Sequence, residues 1–184
     1  MEAPFIPDDL QPIIVFHGHL CPGIVIGYRA AKAGMKQIHA MRSEDEELVA
    51  IVENNSCAVD AIQVMTGCTF GKGNFFFRDY GKHVYTLALR PDGRGVRVSL
   101  KNDVFREEDR DERIKLILEL DEDQLFDIRD VNIELPNVAQ IHDSLPCHNC
   151  GESVMKTRVK EKNKKVYCIP VSYTHLTLPT TPYV

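Results

Sequence analysis

Val84-Tyr85-Thr86-Leu87-Ala88-Leu89-Arg90-Pro91-Asp92-Gly93-Arg94-Gly95-Val96-Arg97-Val98-Ser99-Leu100 reads as two β-strands joined by a turn. Apolar and β-branched residues fill 84–89 and 96–100, and Pro91-Asp92-Gly93 followed by Arg94-Gly95 supplies the turn chemistry. Phe75-Phe76-Phe77 predicts a strand before this hairpin, and Glu47 to Glu53 another. Helical patterns followed by a meander of short strands predict an α+β fold, with helices packed on an antiparallel sheet rather than a wound parallel one.

Upstream, Pro22 to about Ile38 predicts a helix with Ile24, Tyr28, Ala31, Met35 and Ile38 on one apolar stripe. Gly23, Gly27, Ala30 and Gly34 make a second, small-residue stripe. Glycine costs about 1 kcal/mol in a helix interior, so this stripe implies close approach of another backbone, either in the core or across a dimer. A second helix is predicted from about Cys57 to Thr66, started by Asn55 or Ser56 and stopped by Gly67. Downstream, residues 103–130 are rich in acidic side chains. With Ile114, Leu116, Ile117, Leu118 and Leu120 they predict an amphipathic helix with a solvated face. Asp127 to Leu135 predicts a last strand.

The chemistry-bearing residues gather around the helix starts. In His17-Gly18-His19-Leu20-Cys21-Pro22-Gly23, three metal-capable side chains occupy alternate positions. An extended segment would point all three to one face. Pro22 suits a first helical turn, which puts Cys21 at a helix N-terminus, where a thiolate is favoured. Cys57 is placed similarly, shares a face with Asp60 three residues on, and Cys68 follows the helix stop. The bland alternative is a turn with exposed histidines and inert buried thiols. Gly71-Lys72-Gly73 lacks the spacing of a Walker A loop, but its backbone N–H groups beside Lys72 could form an anion nest.

The combination of Phe16-His17-Gly18-His19-Leu20-Cys21-Pro22-Gly23 with Cys57 to Asn74 resembles the FmdE-like family, named for a component of formylmethanofuran dehydrogenase, over roughly residues 10–170. The resemblance implies an α+β core over residues 1–143, a small zinc-binding domain over 144–171, and an intertwined homodimer. It implies association with the molybdenum or tungsten enzyme that reduces carbon dioxide onto methanofuran, as in methanogenesis. It implies fold and a metal-rich site more strongly than a reaction.

The C-terminal segment carries its own signal. Pro146-Cys147-His148-Asn149-Cys150-Gly151 reads as a zinc knuckle, with two residues between thiolates setting tetrahedral spacing. Cys168 follows, and a zinc ribbon would finish with a cysteine at 171, where this chain has Val171. His175 or His148 is the rival for a fourth ligand. Val154 to Tyr167 predicts a β-hairpin turning at Asn163 and rich in lysine. After Pro170 the composition breaks. Residues 172–184 resemble appended adapter sequence and are expected to form a non-native disordered tail.

Composition bounds the rest. The 184 residues are 43% hydrophobic and 27% charged with a net charge of −5, which argues against nucleic-acid binding by the whole chain. No apolar run suits a membrane helix, and the amino terminus lacks a signal-peptide pattern, so a cytoplasmic location is expected. The six cysteines then favour metal or redox chemistry over disulfides.

The first functional expectation is a metal-binding protein of one-carbon redox metabolism. Its core site would use His17, His19, Cys21, Cys57 and Cys68 for zinc, nickel or iron. Cys57, His19, Lys72 and Asp60 would serve catalysis, and Gly71, Lys72 and Gly73 would hold an anion. Zinc would sit on Cys147, Cys150 and Cys168. The alternative is a metal-sensing or regulatory module whose ribbon docks a protein or nucleic acid.

Overall fold

The computed structural model describes residues 5–101 and 109–174. Two compact units divide the chain, residues 1–139 and 140–184.

In the first unit, α1 (Gln11–His17), α2 (Pro22–Gln37) and α3 (Ala58–Thr66) accompany β1 (Leu48–Val52), β2 (Phe75–Phe77), β3 (Val84–Leu89) and β4 (Arg94–Leu100). Then come α4 (Arg110–Glu119), α5 (Glu122–Leu125) and β5 (Phe126–Asn132). The sheet order is β2-β1-β3-β4-β5. Every pair is antiparallel except β1–β2, where Ala50 faces Phe75 in parallel register. The fold is therefore α+β as expected, with one correction: the sheet is mixed. The connection from β1 to β2 runs through α3, and a helical crossover returns the chain in parallel.

Burial follows position in the sheet. All five residues of β1 are buried, whereas β5 at the edge exposes most of its side chains. A strand covered on both faces reads as a continuous apolar run, and an edge strand does not. The β3–β4 turn matches the sequence reading. Gly93 takes φ +74°, and its N–H donates to the Leu89 carbonyl at 2.9 Å. β4 begins at Arg94, two residues earlier than expected, because Arg94 and Gly95 already pair with Asn132 and Val131.

The core gathers Ile24, Val25, Tyr28 and Ala31 of α2 with Ile62 of α3, Leu87 of β3, Val96 and Val98 of β4 and Ile117 of α4. The glycine stripe on α2 belongs to this core. A Cβ on Gly27 would lie 2.8 Å from the Ala58 carbonyl carbon, so the α2 and α3 backbones touch there. Gly34 instead faces the sheet, with Leu87, Val98 and Val96 side chains around it. Arg29 donates to the carbonyls of Leu118 at 3.0 Å and Leu120 at 2.6 Å, satisfying orphan acceptors at the end of α4.

The acidic segment is two helices rather than one. Asp109 caps α4 through Asp111 N–H and Glu112 N–H, both at 2.9 Å. Asp121 restarts the chain with a capping box to Gln124. Residues 103–108 of that segment lie outside the described residues.

The second unit pairs β6 (Ser144–Pro146) with β7 (Ser153–Met155) and β8 (Val159–Lys162) with β9 (Lys165–Cys168), and ends in α6 (Ile169–Thr174). The hairpin turns at Asn163 and Lys164, both at positive φ. It is shorter than expected, since Ser153–Met155 pairs with the knuckle strand instead. Residues 172–174 belong to α6 rather than to a structureless tail, and residues 175–184, with His175, lie outside the described residues. Among the described residues, no helix is long and apolar enough to cross a membrane.

Candidate metal centres

The first unit converges three donors. His17, Cys21 and Cys57 each offer a ligand atom, all within 4.8 Å of one another. They come from three places. His17 is the last residue of α1, and Gly18 ends that helix in the left-handed region at φ +93°. Cys21 is the N-cap of α2 and Cys57 the N-cap of α3. The two helix N-termini meet because Gly23 has no side chain; a Cβ there would lie 2.8 Å from Cys57 Cβ and 3.7 Å from Cys21 Sγ.

Asp60 supplies the orientation. His17 Nδ1 donates to Asp60 Oδ2 at 2.7 Å. A carboxylate can only accept, so the proton sits on Nδ1 and the Nε2 lone pair is free for a metal. That nitrogen lies 3.9 Å from Cys21 Sγ. Carboxylate–imidazole pairs of this kind fix the ring's orientation and tautomer toward a metal. Burial pushes the Cys57 thiol up from its ordinary value, and the neighbouring Cys21 thiol adds to the shift. A cation bound between the two sulfurs would reverse that penalty, since coordinated thiols are deprotonated. One imidazole and two thiolates suit zinc, nickel or iron better than magnesium or calcium. Three protein donors also leave a coordination position open for water or a substrate atom.

The other expected residues fall elsewhere. His19 is exposed and outside the three-donor cluster; its ring centroid lies 4.6 Å from that of His17, tilted by 40°. The extended segment that would have aligned them does not exist, because α1 runs through His17. Cys68 is fully buried and outside the cluster; its thiol donates to the Leu48 carbonyl at 3.2 Å, and burial pushes its pKa to about 11. It is a packed core thiol. Lys72 Nζ donates to the Ser43 and Glu44 carbonyls at 3.2 Å each. The Lys72 N–H bonds Thr69 Oγ1 and the Gly73 N–H bonds the Phe70 carbonyl. These donors are therefore not available for an anion nest at Gly71-Lys72-Gly73. Asn74, which the sequence reading passed over, is the residue that organises this loop. Fully buried, it donates to the Asp45 and Leu48 carbonyls and accepts from the Thr69 N–H. An asparagine after a Gly-Lys-Gly turn was the signal.

The second unit brings Cys147, Cys150 and Cys168 within the same 4.8 Å limit. The knuckle is closed by Cys147 N–H to the Glu152 carbonyl and Gly151 N–H to the Cys147 carbonyl, each at 2.9 Å, with Gly151 at φ +75°. The Cys168 N–H donates to Cys147 Sγ at 3.3 Å. Backbone N–H groups at Cys150 and Cys168 lower the Cys147 thiol to about 6. His148 turns away; its ring packs edge-on against Tyr167 at 5.8 Å. The three thiols sit where a knuckle and a hairpin meet, as in a small zinc-ribbon-like module, and a three-thiolate donor set fits a soft or borderline metal such as zinc.

An α+β domain that brings one imidazole from a helix end and two thiols from helix N-termini together, beside a three-cysteine module, defines a class of proteins with candidate metal sites. The chain belongs to the FmdE family, described as FmdE, molybdenum formylmethanofuran dehydrogenase operon, whose profile matches residues 16–127. It is 32% identical over 178 residues to a probable S-adenosyl-L-methionine-binding protein of Archaeoglobus fulgidus. That match covers 79% of this chain and 48% of the relative, so the chain spans about half the length of the curated relative. The crystal structure of a tungsten formylmethanofuran dehydrogenase FmdE-like protein from Syntrophus aciditrophicus superposes with a TM-score of 0.67, at 22% identity and full coverage of both chains. At that identity the likeness shows the fold.

Proposed function

We propose that this protein is a metal-binding FmdE-like protein that serves formylmethanofuran dehydrogenase chemistry, with its working metal on His17, Cys21 and Cys57. The observation that carries the reading is the convergence of these three donors within 4.8 Å, with Asp60 holding the His17 tautomer. Bound there, zinc, nickel or iron would supply Lewis-acid chemistry at an open position. Around it, Asp60 fixes the imidazole, Cys21 anchors the site from its buried side, and Cys57 reaches the surface at the start of α3. His19 stands exposed beside His17, its ring centroid 4.6 Å away, and in this reading it is the polar side chain that a ligand of the site would meet from solvent. Cys147, Cys150 and Cys168 hold a second, structural zinc. Residues 1–143 act as the catalytic or binding core, residues 144–171 as the accessory module, and the working form is a cytoplasmic homodimer that meets components of a molybdenum or tungsten enzyme.

The test is metal content per chain by elemental analysis. The wild-type protein is compared with His17→Ala/Cys57→Ser and with Cys147→Ser/Cys150→Ser. Loss of one equivalent in each variant supports two separate sites. Metal lost only in the second variant removes the core site and leaves the alternative, a binding module built on the cysteine knuckle. The name of the Archaeoglobus relative adds one ligand to titrate in the same preparation, S-adenosyl-L-methionine.

A further inference from the structure

The β8–β9 register sorts the hairpin into two unlike faces. Lys160 pairs with Tyr167 and Lys162 with Lys165, so these four side chains share one face. Val159, Glu161, Val166 and Cys168 share the other, and Val159, Val166 and Cys168 are wholly or partly buried. The three lysines of the first face are exposed, and among the described residues none of their ammonium groups has a hydrogen-bond or ion-pair partner. Tyr167 is half-buried among them and carries the His148 ring edge-on against it. A cleft of about 800 Å³ opens here; His148, Asn149, Lys160, Lys162 and Tyr167 line it together with one carboxylate, Glu161, so its lining is net basic by one charge.

Charge is segregated along the chain. Residues 140–184 contain six Lys and Arg against three Asp and Glu, while the rest of the chain contains 16 against 24. The overall net charge of −5 therefore hides a basic module. An acidic protein surface would be satisfied by lysines alone. A face of three lysines with an aromatic ring among them matches a different ligand, one with phosphates spaced along a strand and flat bases between them. We propose that the face of Lys160, Lys162, Lys165 and Tyr167 binds single-stranded nucleic acid, the lysines neutralising phosphates and Tyr167 stacking on a base. This does not depend on the core metal site.

The experiment is fluorescence anisotropy of a labelled single strand of about 12 nucleotides, titrated with the full-length zinc-loaded protein. Three neutralised phosphates give a slope of about −2 in log K against log salt, or about a 20-fold loss of affinity between about 50 and 200 mM salt. Lys160→Gln/Lys162→Gln should flatten that slope by about 1.4. Tyr167→Ala should weaken binding by about 10-fold, while Tyr167→Phe, which keeps the ring, should bind like wild type. Metal content at the cysteine site is measured in every variant, and only variants that retain it are compared. Absence of binding at low salt overturns the proposal, as does an affinity insensitive to the lysine pair. Equal binding to a duplex, or displacement charge for charge by poly-glutamate, overturns it too, by showing that no base is stacked.

Discussion

Gly27→Ala is the sharpest perturbation of this fold. The added Cβ would lie 2.8 Å from both the carbonyl carbon and the Cα of Ala58, and closer still to the Ala58 oxygen. Carbon atoms settle at about 3.5–4.0 Å, so α2 and α3 must part by about 1 Å. The obstructing atoms are backbone and have no rotamer to change. Overpacking of this kind costs about 3 kcal/mol, at the upper end of the usual range. Alanine recovers about 1 kcal/mol of helix propensity, leaving a net loss of about 2 kcal/mol. With a urea m-value of about 2 kcal/mol/M, the midpoint falls by about 1 M. Gly34→Ala is the control on the same helix. Its nearest neighbours are Leu87 Cδ1 at 3.0 Å and Val98 Cγ2 at 3.4 Å, side-chain ends that can give. Propensity and crowding should then cancel to within about 0.5 kcal/mol. The assay is urea unfolding followed by far-ultraviolet circular dichroism. Because Cys57 caps α3 one residue before Ala58, Gly27→Ala should also weaken metal binding at the core site, and Gly34→Ala should not. Equal midpoints for the two variants would refute the argument that backbone contact, rather than the glycine itself, decides the cost.

Asp60→Asn keeps the shape but removes the charge that holds His17 at 2.7 Å; competition with a chelator should show core-site affinity reduced by about 10- to 100-fold, and a change below twofold would exclude the orienting role. Asn74→Ala strands the Asp45 and Leu48 carbonyls and the Thr69 N–H, so thermal and urea unfolding should show about 3 kcal/mol of destabilisation. The Cys68 thiol, raised from 9.0 to about 11 by burial, keeps its proton in the folded state where the unfolded chain has lost it. Its contribution is fully present below pH 9 and disappears as pH rises toward about 11, which amounts to about 2.7 kcal/mol at two pK units. Cys68→Ala should show a flatter alkaline limb of the stability profile than wild type.

Elements whose local chemistry is self-sufficient were legible in the chain before any packing was known. The β3–β4 hairpin followed from Pro91-Asp92-Gly93, α2 from Pro22 and its apolar stripe, the stop of α3 from Gly67, and the knuckle from the spacing of Cys147 and Cys150. The sequence also picked out Cys21, Cys57 and Asp60 as chemistry-bearing, because residues at helix starts have constrained positions. Tertiary structure decided what depended on residues far apart in the chain. Helix α1 is short and starts at Gln11-Pro12, and it is held by burial of Leu10 and Ile13 in the core. That burial made His17 a helix terminus and took His19 out of the donor set. Cys68 and Lys72 carry the same functional groups as a metal site, but Leu48, Ser43 and Glu44 use them as structural donors. Alternation along β8 and β9 was visible in the chain, yet only the pairing of Lys160 with Tyr167 placed an aromatic ring among the lysines. Side-chain identity is local, whereas the partner that consumes or frees a donor is chosen by packing across the fold.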